Sequence, residues 1–450
     1  MAARSILACV SLFAFGFVST ASRTASADIP SFLYTVATQY EALAWVHGSE
    51  RFPSGAKIFV SEESERHLLV AGFAASADPS VSFDGQHVLF AGKQSEHDAW
   101  QIWETSLSGG EPRRLTSCAE DCIRPFYLPD DRIVYAQKAS GRFTIEALSL
   151  ADSKAMSLTY GPGNFLPADV LLDGRVLFES SFPIGGNGNP ELYTVYSDGS
   201  GVESYRCDHS RARHQAKQIR SGDIVFSANS ALAKFTSSRA RQIPITTPAG
   251  EYAGDVAESA SGNWLLPWRA SGKDFFQLML WTPGTPQLRT VLKEQDAHVI
   301  EPTLIRERPA PNRHPSGLHD WPNANLLCLN AYTSQYQFAA ESIHSVRVYT
   351  KSEDGTTNAL GTARVERDGS FFVQVPNDRP VQIELLDSAG KTLKRESGFF
   401  WMRRGEQRVC VGCHAGPETA PENAVPMILL KSTTPADLTG ASAPNTSGGH

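Results

Sequence analysis

The sequence predicts an all-β protein, a six-bladed β-propeller followed by a small β-sandwich with a cysteine-bearing C-terminal segment. Three observations predict it. Polar turns recur at a nearly constant interval through the first two thirds of the chain, and a short β-prone run follows each. A proline-rich crossing then interrupts the pattern. Beyond it, alternating strands are separated by Asp-Gly and similar turns.

The interval is read from Asp84-Gly85, Asp131-Arg132, Asp173-Gly174, Ser221-Gly222 and Ser261-Gly262, whose first residues are 47, 42, 48 and 40 positions apart. After them come Val88-Leu89-Phe90, Ile133-Val134-Tyr135, Val176-Leu177-Phe178, Ile224-Val225-Phe226 and Trp264-Leu265-Leu266. A period in the forties with several short strands per unit is a propeller signature, because one four-stranded unit cannot bury both faces alone. Five units are marked. A sixth blade closes if strands within Leu33 to Leu69 pair with one near Val299 to Ile305; seven blades is the alternative count. The propeller is assigned to 28–308. Pro79, Pro125 and Pro167 precede the first three turns. His209, His214 and His298 stand near blade starts, where a satisfied structural histidine is the ordinary reading.

Arg306 to Pro322 is rich in proline, charge and histidine and neither continues a sheet nor forms a helix, so 309–325 is a linker. From Leu326 the strands Leu326–Tyr332, Ser345–Thr350, Gly361–Val365, Ser370–Val375, Val381–Leu386 and Thr392–Glu396 read as a small sandwich over 326–406. A segment 407–432 follows, then a Ser-, Thr-, Pro- and Gly-rich tail, 433–450, expected to be disordered.

The N-terminus reads as an export signal over 1–27. Arg4 supplies the charge, Ile6 to Val18 the apolar stretch, and Ala25-Ser26-Ala27 the cleavage site. The apolar run is too short for an anchor, and no other segment reads as transmembrane, so the chain is not expected to be an integral membrane protein. The whole chain has 41 basic and 48 acidic side chains. Without Arg4 and Arg23 the net charge is −9, which argues against nucleic acid as a partner. Periplasmic or secreted localisation permits disulfides, and Cys118 and Cys122 are close enough to bridge a loop. Cys207 and Cys328 are then left single.

Cys410, Cys413 and His414 form C-x-x-C-H, the attachment sequence of c-type haem. Two thiols three positions apart reach two vinyl groups on one porphyrin edge, and the following imidazole faces the iron. The competing readings are a disulfide or half a zinc site, although no second close ligand pair follows. Phe399, Phe400, Trp401 and Met402 are either a haem wall or the last strand and its core. Arg403, Arg404 and Arg408 are either propionate partners or surface charge. His414 is the default iron ligand. His314 and His319 are sixth-ligand candidates on the crossing, with Met427 a lesser one that packs with Ile428-Leu429-Leu430. Cys328 with His414 is an alternative zinc pair, leaving the iron to another residue such as a tyrosine.

The unit Asp78-Pro79-Ser80-Val81-Ser82-Phe83-Asp84-Gly85, continuing through Ile102-Trp103 to Arg114-Leu115-Thr116, resembles the repeat of TolB-type propellers. Cys328-Leu329-Asn330-Ala331-Tyr332, then Asp368-Gly369-Ser370-Phe371-Phe372-Val373-Gln374-Val375-Pro376, then Gly405 to His414, resemble in order the alpha subunit of hydrazine synthase and the wider set sharing its middle domain. That resemblance implies one covalent haem c at the end of the middle domain and a periplasm-like compartment. The alpha subunit has a further domain with a second haem, whereas these 450 residues hold one C-x-x-C-H. The expectation is therefore a mono-haem cytochrome that transfers electrons or serves as a haem-bearing subunit of a hetero-oligomer, with a redox partner protein. If it is an enzyme, it is a haem-dependent oxidoreductase. The alternative is a non-catalytic propeller scaffold with a structural Cys/His metal site.

Overall fold

The computed structural model describes residues 30–62, 65–181, 189–206, 211–352, 355–396, 398–413 and 423–440. The export signal, Cys207, His209, His414 and residues 441–450 lie outside the described residues.

Six antiparallel sheets follow one another along the chain. Blade 1 joins Phe32–Ala37, Lys57–Glu62 and Glu65–Leu68 to the late strand His298–Leu304. Blade 2 is Ala75–Val81, His87–Lys93, Gln101–Ser106 and Arg113–Arg114. Blade 3 is Cys122–Leu128, Arg132–Ala139, Arg142–Ser149 and Ala155–Ser157. Blade 4 is Phe165–Val170, Val176–Ser180, Glu191–Val195 and Glu203–Ser204. Blade 5 is His214–Gln218, Ile224–Ala228, Ala231–Phe235 and Ile243–Pro244. Blade 6 opens on two short pieces, Glu251–Tyr252 and Ala257–Glu258, both paired with Trp264–Arg269, and continues through Gln277–Trp281 and Leu288–Leu292. The ring is closed inside blade 1, where Phe32 lies opposite Leu304 and Ala37 opposite His298.

The periodic turns link the first two strands of blades 2 to 6. Gly85, Gly174, Gly222 and Gly262 hold φ of 72°, 87°, 88° and 81° there. Blade 3 has no glycine at this place and puts Asp130 and Asp131 at 65° and 51° instead; Asp tolerates the left-handed region because its short side chain bonds locally. The runs behind the turns are buried. Val88, Leu89 and Phe90 are fully enclosed, as are Val176, Leu177 and Phe178. Burial of each such side chain is worth roughly 1.5–3 kcal/mol.

A second regularity lies just before those turns. The inner strands lose register between Ala77 and Ser80, Ile123 and Phe126, Pro167 and Asp169, and His214 and Lys217. Asp78, Arg124, Gln215, Asp255 and Glu301 each take a left-handed φ, between 48° and 58°. Such a backbone costs an L-residue about 1–2 kcal/mol. The cost is offset because these residues interlock at the centre of the ring. Arg51 binds both Asp78 and Glu301, the Arg124 amide donates to Asp78 Oδ2 at 3.0 Å, and the Asp255 amide donates to the Gln215 carbonyl at 3.0 Å.

The C-terminal unit is a sandwich of two four-stranded sheets. One has the order Gln407–Cys410, Ala324–Cys328, Phe371–Val375, Ala436–Asp437, and the other Thr357–Arg364, Ser345–Lys351, Val381–Leu386, Thr392–Arg395. Leu326, Val346, Val348, Val373, Val375 and Met402 fill the space between them. Two expectations change. The segment beginning at 407 is not separate from the sandwich: Gln407–Cys410 is its edge strand, parallel to Ala324–Cys328. The tail is not disordered from 433, since Ala436 and Asp437 pair with Val373 and Gln374 and Leu438 is buried. One buried leucine and a free sheet edge give this stretch the partners its composition lacked.

The linker is pinned over the propeller turns. The Arg308 amide donates to Phe83 O at 2.8 Å and the Asn312 amide to Leu172 O at 2.9 Å. A Cβ on Gly85 would stand 2.8 Å from the Arg306 carbonyl carbon, so glycine is needed there for the close approach as well as for φ. The sandwich docks beside blades 3 and 4. Trp401 leaves it and enters the propeller, with ring centroids 5.6 Å from Phe165, 6.4 Å from Tyr160 and 6.5 Å from Phe178. Met402 points the other way, into the sandwich core. The reading of Phe399 to Met402 as a haem wall is thus replaced at these two positions by core packing on either side of the joint.

Candidate functional site

The parallel pairing of Gln407–Cys410 with Ala324–Cys328 runs in register Asn325 with Gln407 through Cys328 with Cys410. Two cysteines 82 positions apart therefore stand on neighbouring strands, about 4.8 Å between backbones. The Leu329 amide donates to Cys410 O at 2.9 Å and holds the end of the strand. The chain then turns through Val411 and Gly412. A Cβ on Gly412 would lie 2.0 Å from Thr333 O and 2.9 Å from Asn330 O, so only glycine lets the C-x-x-C turn sit on the 330–333 backbone. This seat explains why Asn330 and Tyr332 lie near the motif although they are far from it in sequence. The Asn330 side chain accepts from the Tyr332 amide at 2.9 Å, and the Tyr332 hydroxyl accepts from the Ile343 amide at 3.0 Å.

Cys410 and Cys413 are half-buried, unbridged, and packed against the sandwich core. Burial raises the Cys410 thiol above its ordinary range. Burial, with a smaller push from Glu396 and Cys410, takes Cys413 up to about 12. Cys328 is almost fully enclosed, and burial holds its thiol well above the usual value. A thioether sulfur carries no charge, so attachment to a vinyl carbon suits such surroundings without the cost of burying a thiolate. Val409, next to Cys410 in sequence, is 58 % exposed, and further along the chain Val425 and Leu430 are 63 % and 72 % exposed. His414 lies outside the described residues. Among the described residues no group of three His, Cys, Asp or Glu side chains forms a metal cluster.

Other predicted residues fall elsewhere. Cys118 and Cys122 are joined by a disulfide across the turn leading into blade 3. His314 stacks on Tyr196 of blade 4, with centroids 3.7 Å apart. His319 stacks on Trp321, and its amide donates to Gly405 O at 3.0 Å. Gly405 precedes Cys410 by five residues of mostly extended chain, roughly 16 Å at the usual rise per residue. His214 and His298 are structural: burial lowers both to about 4, and His298 Nδ1 accepts from the Phe276 amide at 3.1 Å. Met427 opens a short helix, Met427–Lys431, and its amide donates to Asp368 Oδ2 at 2.7 Å.

The arginines considered for propionates already have protein partners. Arg403 pairs with Asp378 at 2.8 Å and donates to Ser157 O of blade 3 at 2.8 Å. Arg404 pairs with Asp320, and Arg408 with Glu406 at 2.7 Å. Glu406 was not singled out from the sequence, yet it is a buried hub. It accepts from the Arg403 amide, the Arg408 guanidinium and, across the domain joint, the Gly201 amide at 3.2 Å. Nothing local in the sequence marks it, because its partners are assembled by docking.

Comparison with known proteins now bears on this geometry. Residues 331–415, the sandwich with its cysteine turn, match the family model of the hydrazine synthase alpha subunit middle domain. The chain is similar to the hydrazine synthase alpha subunit. Hydrazine synthase subunit alpha of Kuenenia stuttgartiensis is 31 % identical over 77 residues, spanning 17 % of this chain and 10 % of that relative. The solved hydrazine synthase of Kuenenia stuttgartiensis superposes with a TM-score of 0.79 at 16 % identity, covering 90 % of this chain and 72 % of that one. At that identity the likeness establishes the shared fold, propeller and middle domain together. TolB from Acinetobacter baumannii gives a TM-score of 0.46 at 14 % identity over 61 % of this chain and 66 % of that one. No helix among the described residues is long and apolar enough to cross a membrane.

Proposed function

We propose that this hydrazine synthase alpha-like protein is an exported mono-haem c-type cytochrome, with Cys410 and Cys413 as the thioether donors and His414 as the iron ligand. The observation that carries the reading is the pair of unbridged, half-buried thiols on a turn that only Gly412 can make. Bound there, haem supplies one-electron redox chemistry. The chain's own part is to fix the two sulfurs against the sandwich, with the Leu329 amide and the 330–333 backbone holding the turn, and to keep the attachment region apolar. Its function is electron transfer, or service as the haem-bearing subunit of a hetero-oligomeric redox enzyme with a redox partner protein. The export signal supports a periplasmic or secreted setting, where covalent attachment takes place.

Cys328 favours a second assignment for the histidine. Its thiol is enclosed abreast of Cys410 and four residues of chain from His414. A Cys328–His414 pair would hold zinc, with the iron then bound by another residue such as a tyrosine. The experiment is expression in a host that matures c-type cytochromes, followed by denaturing acid extraction and metal analysis. One haem per chain that stays on the polypeptide, and is lost in Cys410→Ala/Cys413→Ala, supports the reading. Freely extracted haem or none at all favours the propeller scaffold instead. Stoichiometric zinc lost in Cys328→Ala assigns His414 to zinc.

A further inference from the structure

Among the described residues three thiols are unbridged, Cys328, Cys410 and Cys413. Thioether attachment uses Cys410 and Cys413 and leaves Cys328 over. Cys328 ends the strand Ala324–Cys328, Cys410 ends Gln407–Cys410, and the parallel pairing sets the two directly abreast. Side chains abreast on neighbouring strands stand on the same face of a sheet. That face is the inner one. Leu326 and Cys328 are buried in the sandwich core, with the less buried Leu327 between them. Cys410 packs against the same core, while Val409 before it is exposed. Burial raises the Cys328 thiol, and the neighbouring Cys410 and Cys413 sulfurs raise it further. A strand spacing of about 4.8 Å falls inside the span of about 4.4–6.8 Å between Cα atoms that a disulfide bridges.

Cys410 has a rival partner in Cys413, three positions on, and two features favour Cys328. The strand ends are already held together, by the pairing from Asn325 with Gln407 onwards and by the Leu329 amide on Cys410 O at 2.9 Å. A bond between positions 82 apart also removes far more freedom from the unfolded chain than a bond across C-x-x-C. Folding therefore drives exchange towards the pair on the strands.

We propose that Cys328 and Cys410 form a disulfide in the haem-free chain, and that this bond latches the attachment site. It forms by exchange with a small disulfide such as oxidised glutathione. The Cys410 thiolate displaces one glutathione thiolate, and the Cys328 thiolate then attacks the Cys410 sulfur and displaces the second. The two thiol protons and two electrons end on two glutathione thiols. While the bond stands, Cys410 has no thiol to add to a vinyl group. A dithiol reductant reverses the exchange, leaves as its own cyclic disulfide and opens the site. The latching role rests on the haem reading; the bond itself does not.

The test uses the full-length chain exported in a host that does not mature c-type cytochromes. The protein is equilibrated with oxidised glutathione, alkylated, digested without reduction and mapped by fragmentation mass spectrometry. The expected product is a peptide pair joined through Cys328 and Cys410, with Cys413 alkylated. Cys410 bonded to Cys413, or Cys410 left as a free thiol, overturns the proposal. A second arm reads the latch with a maleimide, whose alkene takes up a thiol as a porphyrin vinyl group does. In Cys413→Ala, where Cys410 has no C-x-x-C partner, the Cys410 peptide should gain no maleimide until dithiothreitol is added. In Cys328→Ala/Cys413→Ala it should gain it without reductant. Equal labelling of the two variants before reduction overturns the latch. Neither arm requires haem, so a mapped Cys328–Cys410 bond in a chain that never retains haem would sink the haem reading and leave the bond standing. Covalent haem without that bond would do the reverse.

Discussion

The centre of the propeller and the cysteine turn of the sandwich both gather polar groups out of water, and they treat them in opposite ways. At the propeller centre, Arg51, Asp78, Arg124, Glu179, Asp255 and Glu301 are nearly sealed and answer one another. Arg124 lies 3.6 Å from Glu179 and 3.8 Å from Asp255, and Thr35 donates to Glu301 at 2.6 Å. At the sandwich end, Cys328, Cys410 and Cys413 are unbridged and packed against the apolar core, with no ion pair of their own. This buried ion network adds to the constraints on blade geometry. Unbridged thiols set against an apolar core are the attachment point of the proposed haem. On the proposed reading, redox chemistry belongs to the small domain and scaffolding to the large one.

The largest expected effect breaks the attachment side alone. Cys410→Ala/Cys413→Ala should abolish covalent haem completely while far-ultraviolet circular dichroism stays that of an all-β protein. A misfolded double variant would mean that the thiols are structural.

Next in size is the propeller centre. Removing one partner of a buried ion cluster costs about 3–5 kcal/mol because the other charges are left unpaired. Glu301→Ala should therefore lower the chemical-denaturation midpoint strongly, with any haem still attached; a midpoint within error of the unaltered protein would show the cluster to be slack. The same residue gives a pH signature. Burial raises Glu301 from 4.5 to about 7, the nearby Asp78 and Asp255 charges adding to the rise and Arg51 opposing it. The folded state then binds more protons than the unfolded one between those values, so this group makes stability fall as pH rises from about 4.5 to about 7. Buried His214, lowered to about 4, acts oppositely from there up to 6.5. The difference between unaltered protein and Glu301→Gln isolates the glutamate. The advantage of the unaltered protein over Glu301→Gln should shrink across that window, and a constant difference would exclude Glu301 as the titrating group.

Trp401 tests whether the two regions behave as separate bodies. Trp401→Ala removes the plug from blades 3 and 4 at a cost of about 3–5 kcal/mol to the joint. Limited proteolysis should then speed up between 306 and 323, with haem content unchanged. Unaltered proteolysis would move the joint's main hold to Arg403 and Glu406. The smallest effect expected is that of Asp368→Ala, which removes the acceptor for the Met427 amide and should cost about 1 kcal/mol, as loss of a helix cap does. Hydrogen exchange should quicken over 427–438 and nowhere in the propeller.

Much of this was legible in the residues themselves. A turn that needs positive φ draws most readily on Gly, Asn or Asp, so Asp84-Gly85, Asp173-Gly174 and their counterparts announced the blades. Cys410, Cys413 and His414 point to the proposed chemistry through their spacing. These are local constraints, written in consecutive residues. The tertiary structure decided what depends on meeting across distance. It set Cys328 beside Cys410 through a parallel pairing of strands, gave Leu438 a core to enter, and sent Trp401 into the propeller rather than against a cofactor. It also turned Asp78, Arg124 and Glu301, each merely a charged residue before a proline in the sequence, into one interlocked cluster. Periodicity and motif spacing depend on the backbone's local geometry, which a sequence carries directly. Pairings between distant strands depend on the whole ring closing, and only the folded chain contains them.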